Sequence, residues 1–118
     1  MNKEDKELLL KDLCARLPYG VKIQVPYEDG SGYFDETVWE VNNEGPFHVN
    51  GWGIEYEYVK PYLFPLSSIT KKTLEELSAY IDIKNAYVAV EFFNSHHIDY
   101  RGLIEKGLAI DATGLNVY

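Results

Sequence analysis

The sequence predicts an α+β domain, and three observations predict it. Leucines recur at helical spacing before Pro18, apolar residues alternate strictly from Val21, and helical spacing returns after Ser67-Ser68-Ile69-Thr70. The expected architecture is an N-terminal helix, a four-stranded antiparallel meander or small SH3-like barrel, then two helices and an irregular C-terminal tail. With 118 residues, 46% of them apolar, the chain has the size of one domain, 1–118, built on one core.

Residues 4–17 read as the first helix. Leu9, Leu13 and Leu17 fall on one line with Leu10 and Cys14 beside it, while Lys6, Glu7, Lys11, Asp12 and Arg16 are expected on the outer face. Pro18 and Gly20 stop it. Cys14, the single cysteine, falls on the inner stripe and is expected to be an inert core thiol; no internal disulfide is possible.

From Val21 the period becomes two. Val21, Ile23 and Val25 alternate with Lys22 and Gln24, and Pro26 marks an edge or a strand end. Glu28-Asp29-Gly30-Ser31-Gly32 is a turn. Further strands are expected over 34–41 through Val38, Trp39 and Val41, over 46–49, and over 54–59 with Ile54, Tyr56 and Tyr58 on one face. Asn50-Gly51 is a strong hairpin signal. Pro61 and Pro65 predict an irregular crossing segment that closes the sheet. Thr70 is an N-cap for a helix over 71–81 whose inner stripe is Leu74, Leu77 and Ile81. Residues 86–97 fit a helix face through Ala86, Ala89, Val90, Phe93 and His97, although Tyr87-Val88-Ala89-Val90 alone would suit a strand. Gly102, Gly107 and Gly114 predict a turn-rich tail.

The net charge is −8 and unevenly spread: residues 18–60 hold two basic and eight acidic side chains. Such a chain repels phosphate backbones and anionic lipids, which argues against direct nucleic-acid or membrane binding and favours a basic protein partner. The first residues are charged where a signal peptide would be apolar, and no apolar run is long enough for a membrane helix, so a cytoplasmic protein is expected. Oligomeric state is not legible.

Two stretches carry a resemblance. Lys60-Pro61-Tyr62-Leu63-Phe64-Pro65-Leu66-Ser67-Ser68-Ile69-Thr70 is the first. The second runs from Asn94-Ser95-His96-His97-Ile98-Asp99-Tyr100-Arg101 through Gly102-Leu103-Ile104-Glu105-Lys106-Gly107-Leu108-Ala109. They resemble a family of uncharacterised proteins encoded by gut Bacteroidetes genomes and their phages or prophages. That family tends to carry acidic residues after the threonine, where Lys71-Lys72 stand here. The resemblance implies a bacterial or phage setting and no activity.

No motif for catalysis, a cofactor or a metal rises above background. Gly30-Ser31-Gly32 lacks the Lys-Ser/Thr and the strand-to-helix setting of a phosphate loop. Two candidate surfaces remain. His96, His97, Asp99 and Arg101, with Tyr100 among them, could form an acid/base or anion-holding group. The same residues could equally close a helix end and bury an Arg–Asp pair. Trp52, flanked by Gly51 and Gly53, with Tyr56 and Tyr58, could form an aromatic docking face within the acidic segment, or simply fill a small core. The leading expectation is a non-enzymatic protein-binding or adaptor domain working through its acidic, aromatic β region. The alternatives are an enzyme or small-ligand binder centred on His96–Arg101 and an acidic nucleic-acid mimic of phage origin.

Overall fold

The computed structural model of the chain describes residues 2–27, 29–38, 48–49, 52–53, 59–69 and 86–118. The architecture is α+β: an N-terminal helix, a mixed five-stranded sheet, a separate two-stranded pair and a second helix. Helix α1 spans Lys3–Arg16 and is capped by Asn2, whose Oδ1 accepts from the N–H of Asp5 at 2.7 Å. A 3-10 turn, Leu17–Tyr19, follows, and Gly20 ends it at φ 69°, a left-handed position that suits glycine.

The buried face of α1 is not the expected leucine line alone. Leu9, Asp12, Leu13 and Arg16 are buried, the i, i+3, i+4, i+7 set of one helical face. Leu10 and Leu17 are half-buried against the core, and Cys14 is exposed. Two expectations are therefore corrected. Asp12 and Arg16 point inward rather than outward, and Cys14 is a surface thiol. The cause is a rotation of the buried face toward the Asp12/Arg16 side, made possible because both charges find partners inside the protein.

Strands β1 (Lys22–Pro26) and β2 (Tyr33–Thr37) form an antiparallel hairpin in which Gln24 faces Asp35. In its loop, Gly30 takes φ 75°, the Tyr27 N–H donates to Gly32 O, and Asp29 Oδ1 accepts from the Ser31 N–H. Val21, Ile23 and Val25 are buried, as the alternation predicts. β3 (His48–Val49) and β4 (Trp52–Gly53) pair antiparallel with Val49 opposite Trp52, while Asn50 and Gly51 lie outside the described residues.

β5 (Lys60–Pro65) is the hub of the sheet, which corrects the expected irregular crossing. It pairs antiparallel with β1 and parallel with β6 (Ile98–Asp99) and β7 (Ile110–Asp111), giving the order β2-β1-β5-β6 with β7 also on β5. The prolines are tolerated because residues between them supply the bonds to later segments. Phe64 donates its N–H to His97 O, and Leu63 O accepts from the Ala112 N–H. Tyr62 and Leu63 are buried, consistent with a strand covered on both faces. The tail is accordingly less irregular than expected, since it contributes two short parallel strands.

α2 (Ala86–Ser95) realises the helical reading of the 86–97 stretch. Leu9, Leu13, Val21, Ile23, Val25, Val38, Val59, Leu63, Leu103, Leu108 and Ala109 form one cluster. Each fully buried aliphatic side chain there contributes about 1.5–3 kcal/mol from leaving water. Residues 39–41, 46–47 and 54–58 of the strands expected over 34–41, 46–49 and 54–59, and the whole helix expected over 71–81, lie outside the described residues. Among the described residues, no helix is long and apolar enough to cross a membrane.

Candidate functional site

The densest polar arrangement lies where α1, the end of α2 and β6 meet. Arg16 has a fully buried side chain. Its Nε donates to Asp12 Oδ2 at 2.8 Å and its Nη2 to Asp12 Oδ1 at 3.2 Å, a bidentate pair one helical turn apart. Its remaining donors reach Phe93 O at 3.3 Å and Ile98 O at 2.5 Å. Phe93 O lies in the last turn of α2, where a helix leaves acceptors free and favours a cation, and Ile98 O belongs to β6.

A second guanidinium shares the carboxylate: Arg101 Nε lies 3.3 Å from Asp12 Oδ1. Arg101 also donates to the Tyr100 hydroxyl at 2.7 Å, and its guanidinium carbon sits 4.6 Å from that ring's centroid. Tyr100 stacks on Phe93 at 5.6 Å. Burial pushes the Asp12 carboxyl upward from its ordinary value, opposed by the Arg16 and then the Arg101 charge.

The histidines diverge. His96 is exposed, stacks on Phe92 at 4.2 Å, and sets Nδ1 3.0 Å from both Phe92 O and Ser95 Oγ. His97 is buried, at φ 57°, a conformation non-glycine residues adopt at a cost of order 1 kcal/mol or more. Its N–H donates to Asn94 O, closing α2 in the place where glycine is usual. Its Nδ1 and Asn94 Oδ1 are buried without a hydrogen-bond partner among the described residues. Burial, reinforced by the charge of Arg16, then His96 and Lys22, pushes its pKa down to about 4.

Asp99 does not pair with Arg101, as the sequence allowed. Its two carboxylate oxygens each accept a 2.9 Å bond, from the N–H groups of Leu103 and Ile104, and so cap the turn that follows. Among the described residues, no group of three or more His, Cys, Asp or Glu side chains could hold a metal ion.

Residues that sequence reasoning left out complete the site. Asp12 and Arg16 had one available signal, an i,i+4 charge pair beside the leucine line. Tyr118 had none beyond the tyrosine count. Its ring lies 3.8 Å from that of His97 with 9° between planes, and 6.0 Å from that of Phe64. Its hydroxyl accepts from the Lys22 N–H at 2.9 Å and donates to Tyr62 O at 2.7 Å. Burial of that hydroxyl holds its pKa up at about 12.

The second candidate surface is only partly described. Trp52 lies in β4, and Tyr56 and Tyr58 lie outside the described residues. The β1–β2 hairpin presents Tyr33 and Tyr27, 64% and 48% exposed, together with exposed Asp29 and Asp35. Tyr27 and Phe34 rings lie 5.1 Å apart. No protein-family model matches the chain, and no curated protein or solved structure matches it either.

Proposed function

We propose that this chain is a non-enzymatic protein-binding domain that docks a basic partner on the acidic, aromatic face of its β half. One observation carries the reading: the β1–β2 hairpin carries two large exposed aromatic residues, Tyr27 and Tyr33, and two exposed acidic ones, Asp29 and Asp35. Exposed tyrosines supply large contact area with few side-chain torsions to fix, and surrounding carboxylates steer a cationic partner. The segment 18–60, with two basic and eight acidic residues, gives the field its sign. In this reading Trp52, Tyr56 and Tyr58 extend the aromatic surface, the architecture is SH3-like, and the setting is the cytoplasm of a bacterium, with a prophage origin.

The reading centred on His96, His97, Asp99 and Arg101 has less support. Asp99 and Arg101 spend their polar groups on Leu103, Ile104, Asp12 and Tyr100, and His97 is held below neutral pH as an uncharged ring.

An array of lysine- and arginine-rich peptides against neutral and acidic ones tests the proposal. The wild-type chain is expected to retain basic peptides with an affinity that falls as salt rises, and Tyr27→Ser/Tyr33→Ser together to weaken retention at least ~10-fold. Equal retention of all peptide classes, or an unaffected double variant, overturns it.

A further inference from the structure

The ladder between β1 and β5 stops one residue short of where its register would carry it. Ile23 faces Pro61 and Gln24 faces Lys60, so the next pair in the same register is Lys22 and Tyr62. In place of a direct ladder bond, the Lys22 N–H donates to the Tyr118 hydroxyl, which donates to Tyr62 O. Two residues further along β5, the Phe64 N–H donates to His97 O and β6 begins to pair. The Tyr118 phenol thus bridges the point on β5 between its pairing with β1 and its pairing with β6. Lys22 Nζ fastens the same segment by donating to Val117 O at 2.6 Å.

The ring of this strap rests on an imidazole poorly placed to accept a proton. His97 is buried, its Nδ1 has no partner among the described residues, and its backbone is already in the left-handed region. Two cations act on it, Arg16 of α1 and Lys22 of β1, and the neighbouring His96 is a second titratable ring. Among the described residues, Asp12 is engaged with Arg16 and Arg101, and Asp99 with the amides of Leu103 and Ile104. An imidazolium here would be a buried charge whose Nδ1 donor has no partner among the described residues; the face of the Tyr118 ring attracts it, but hydrating that donor requires the ring to lift away.

We infer that residues 117–118 form an acid-released strap: the neutral His97 ring seats Tyr118 across β1 and β5, and protonation of His97 ejects it. Release uncovers the Phe64 ring together with an unpaired Lys22 N–H and Tyr62 C=O, a slot with one aromatic wall and two free ladder groups. The inference is independent of the docking face proposed above, because neither Tyr27 nor Tyr33 takes part in it.

Nuclear magnetic resonance on the full chain tests it, following the His97 side-chain titration, the His97–Tyr118 ring contact and Lys22 amide exchange over one acid series. Lys22 protection is expected to fall at least ~10-fold at the pH where His97 gains its proton, while the amides of Leu13 and Val25 stay protected. His97→Phe keeps a flat ring that cannot charge and is expected to hold the strap through that range. Tyr118→Phe keeps the stack but removes the bridge, and is expected to expose the Lys22 amide already at neutral pH. Lys22 protection that survives His97 protonation in the wild-type chain overturns the inference, whatever the variants do. So does a folded His97→Phe chain that loses Lys22 protection at the wild-type midpoint.

Discussion

Arg16 and Asp12 stand one turn apart on α1, both side chains fully buried and joined by two hydrogen bonds. The pair is a junction rather than an isolated bridge. Arg16 also holds Phe93 O and Ile98 O, and Asp12 also takes Arg101. The N-terminal helix is thereby tied to segments 77 to 89 residues away through groups that could not otherwise be buried.

Asp12→Asn leaves two guanidiniums against a neutral amide in a dry site. Urea unfolding is expected to show a loss of about 3–5 kcal/mol, the range for removing one partner of a buried pair. Replacing both members, Asp12→Leu with Arg16→Met, is expected to recover only part of that loss. Phe93 O and Ile98 O would lose a donor and Arg101 its carboxylate. A double variant as stable as the wild type would show that these carbonyls find other partners.

Asp99→Ala removes the acceptor of two amides, and the Leu103 bond is buried. A loss of about 1–2 kcal/mol is expected, of the size seen for lost caps. Asp99→Asn keeps one oxygen acceptor and is expected to lose less. The order of the two midpoints in thermal unfolding checks this.

His97 sets a pH dependence with a definite sign. Burial lowers its pKa from 6.5 to about 4 in the folded chain. The unfolded chain therefore takes up the proton first, near 6.5. Between these values the unfolded state binds more protons, so stability falls as pH drops from about 6.5 and levels off below about 4. The difference in urea midpoint between wild type and His97→Phe is expected to shift across that window and to be constant above it. A constant difference from pH 7 down to 4 would place the His97 titration elsewhere.

Cys14 is exposed, so a thiol reagent is expected to modify the native chain without prior unfolding. Cys14→Ser is expected to change stability by less than about 0.5 kcal/mol. Protection of the thiol until unfolding would return Cys14 to the core.

Local patterns were legible where one residue type decides one position. Leu9 and Leu13, the alternation of Val21, Ile23 and Val25, and the helix over 86–95 all follow from spacing. The hub role of β5 was hidden by Pro61 and Pro65, although the apolar run Tyr62-Leu63-Phe64 between them was the better signal for a two-sided strand. Within the candidate site, His96, His97, Asp99 and Arg101 were found by composition, but their tasks were not. Asp99 caps a turn, Arg101 shares Asp12, and His97 meets Tyr118.

By itself, the sequence determined that α1 would have an inner stripe, that β1 would bury every second residue and that the chain would be α+β. These are short-range properties, set by 3.6- and 2-residue periods and by turn chemistry within a few bonds. Tertiary structure alone decided that α1 turns Asp12 and Arg16 inward, that β5 gathers three strands, and that a tyrosine at position 118 completes the ladder begun at Lys22. Each of those depends on a buried polar group finding a partner far along the chain, and no local period records where that partner is.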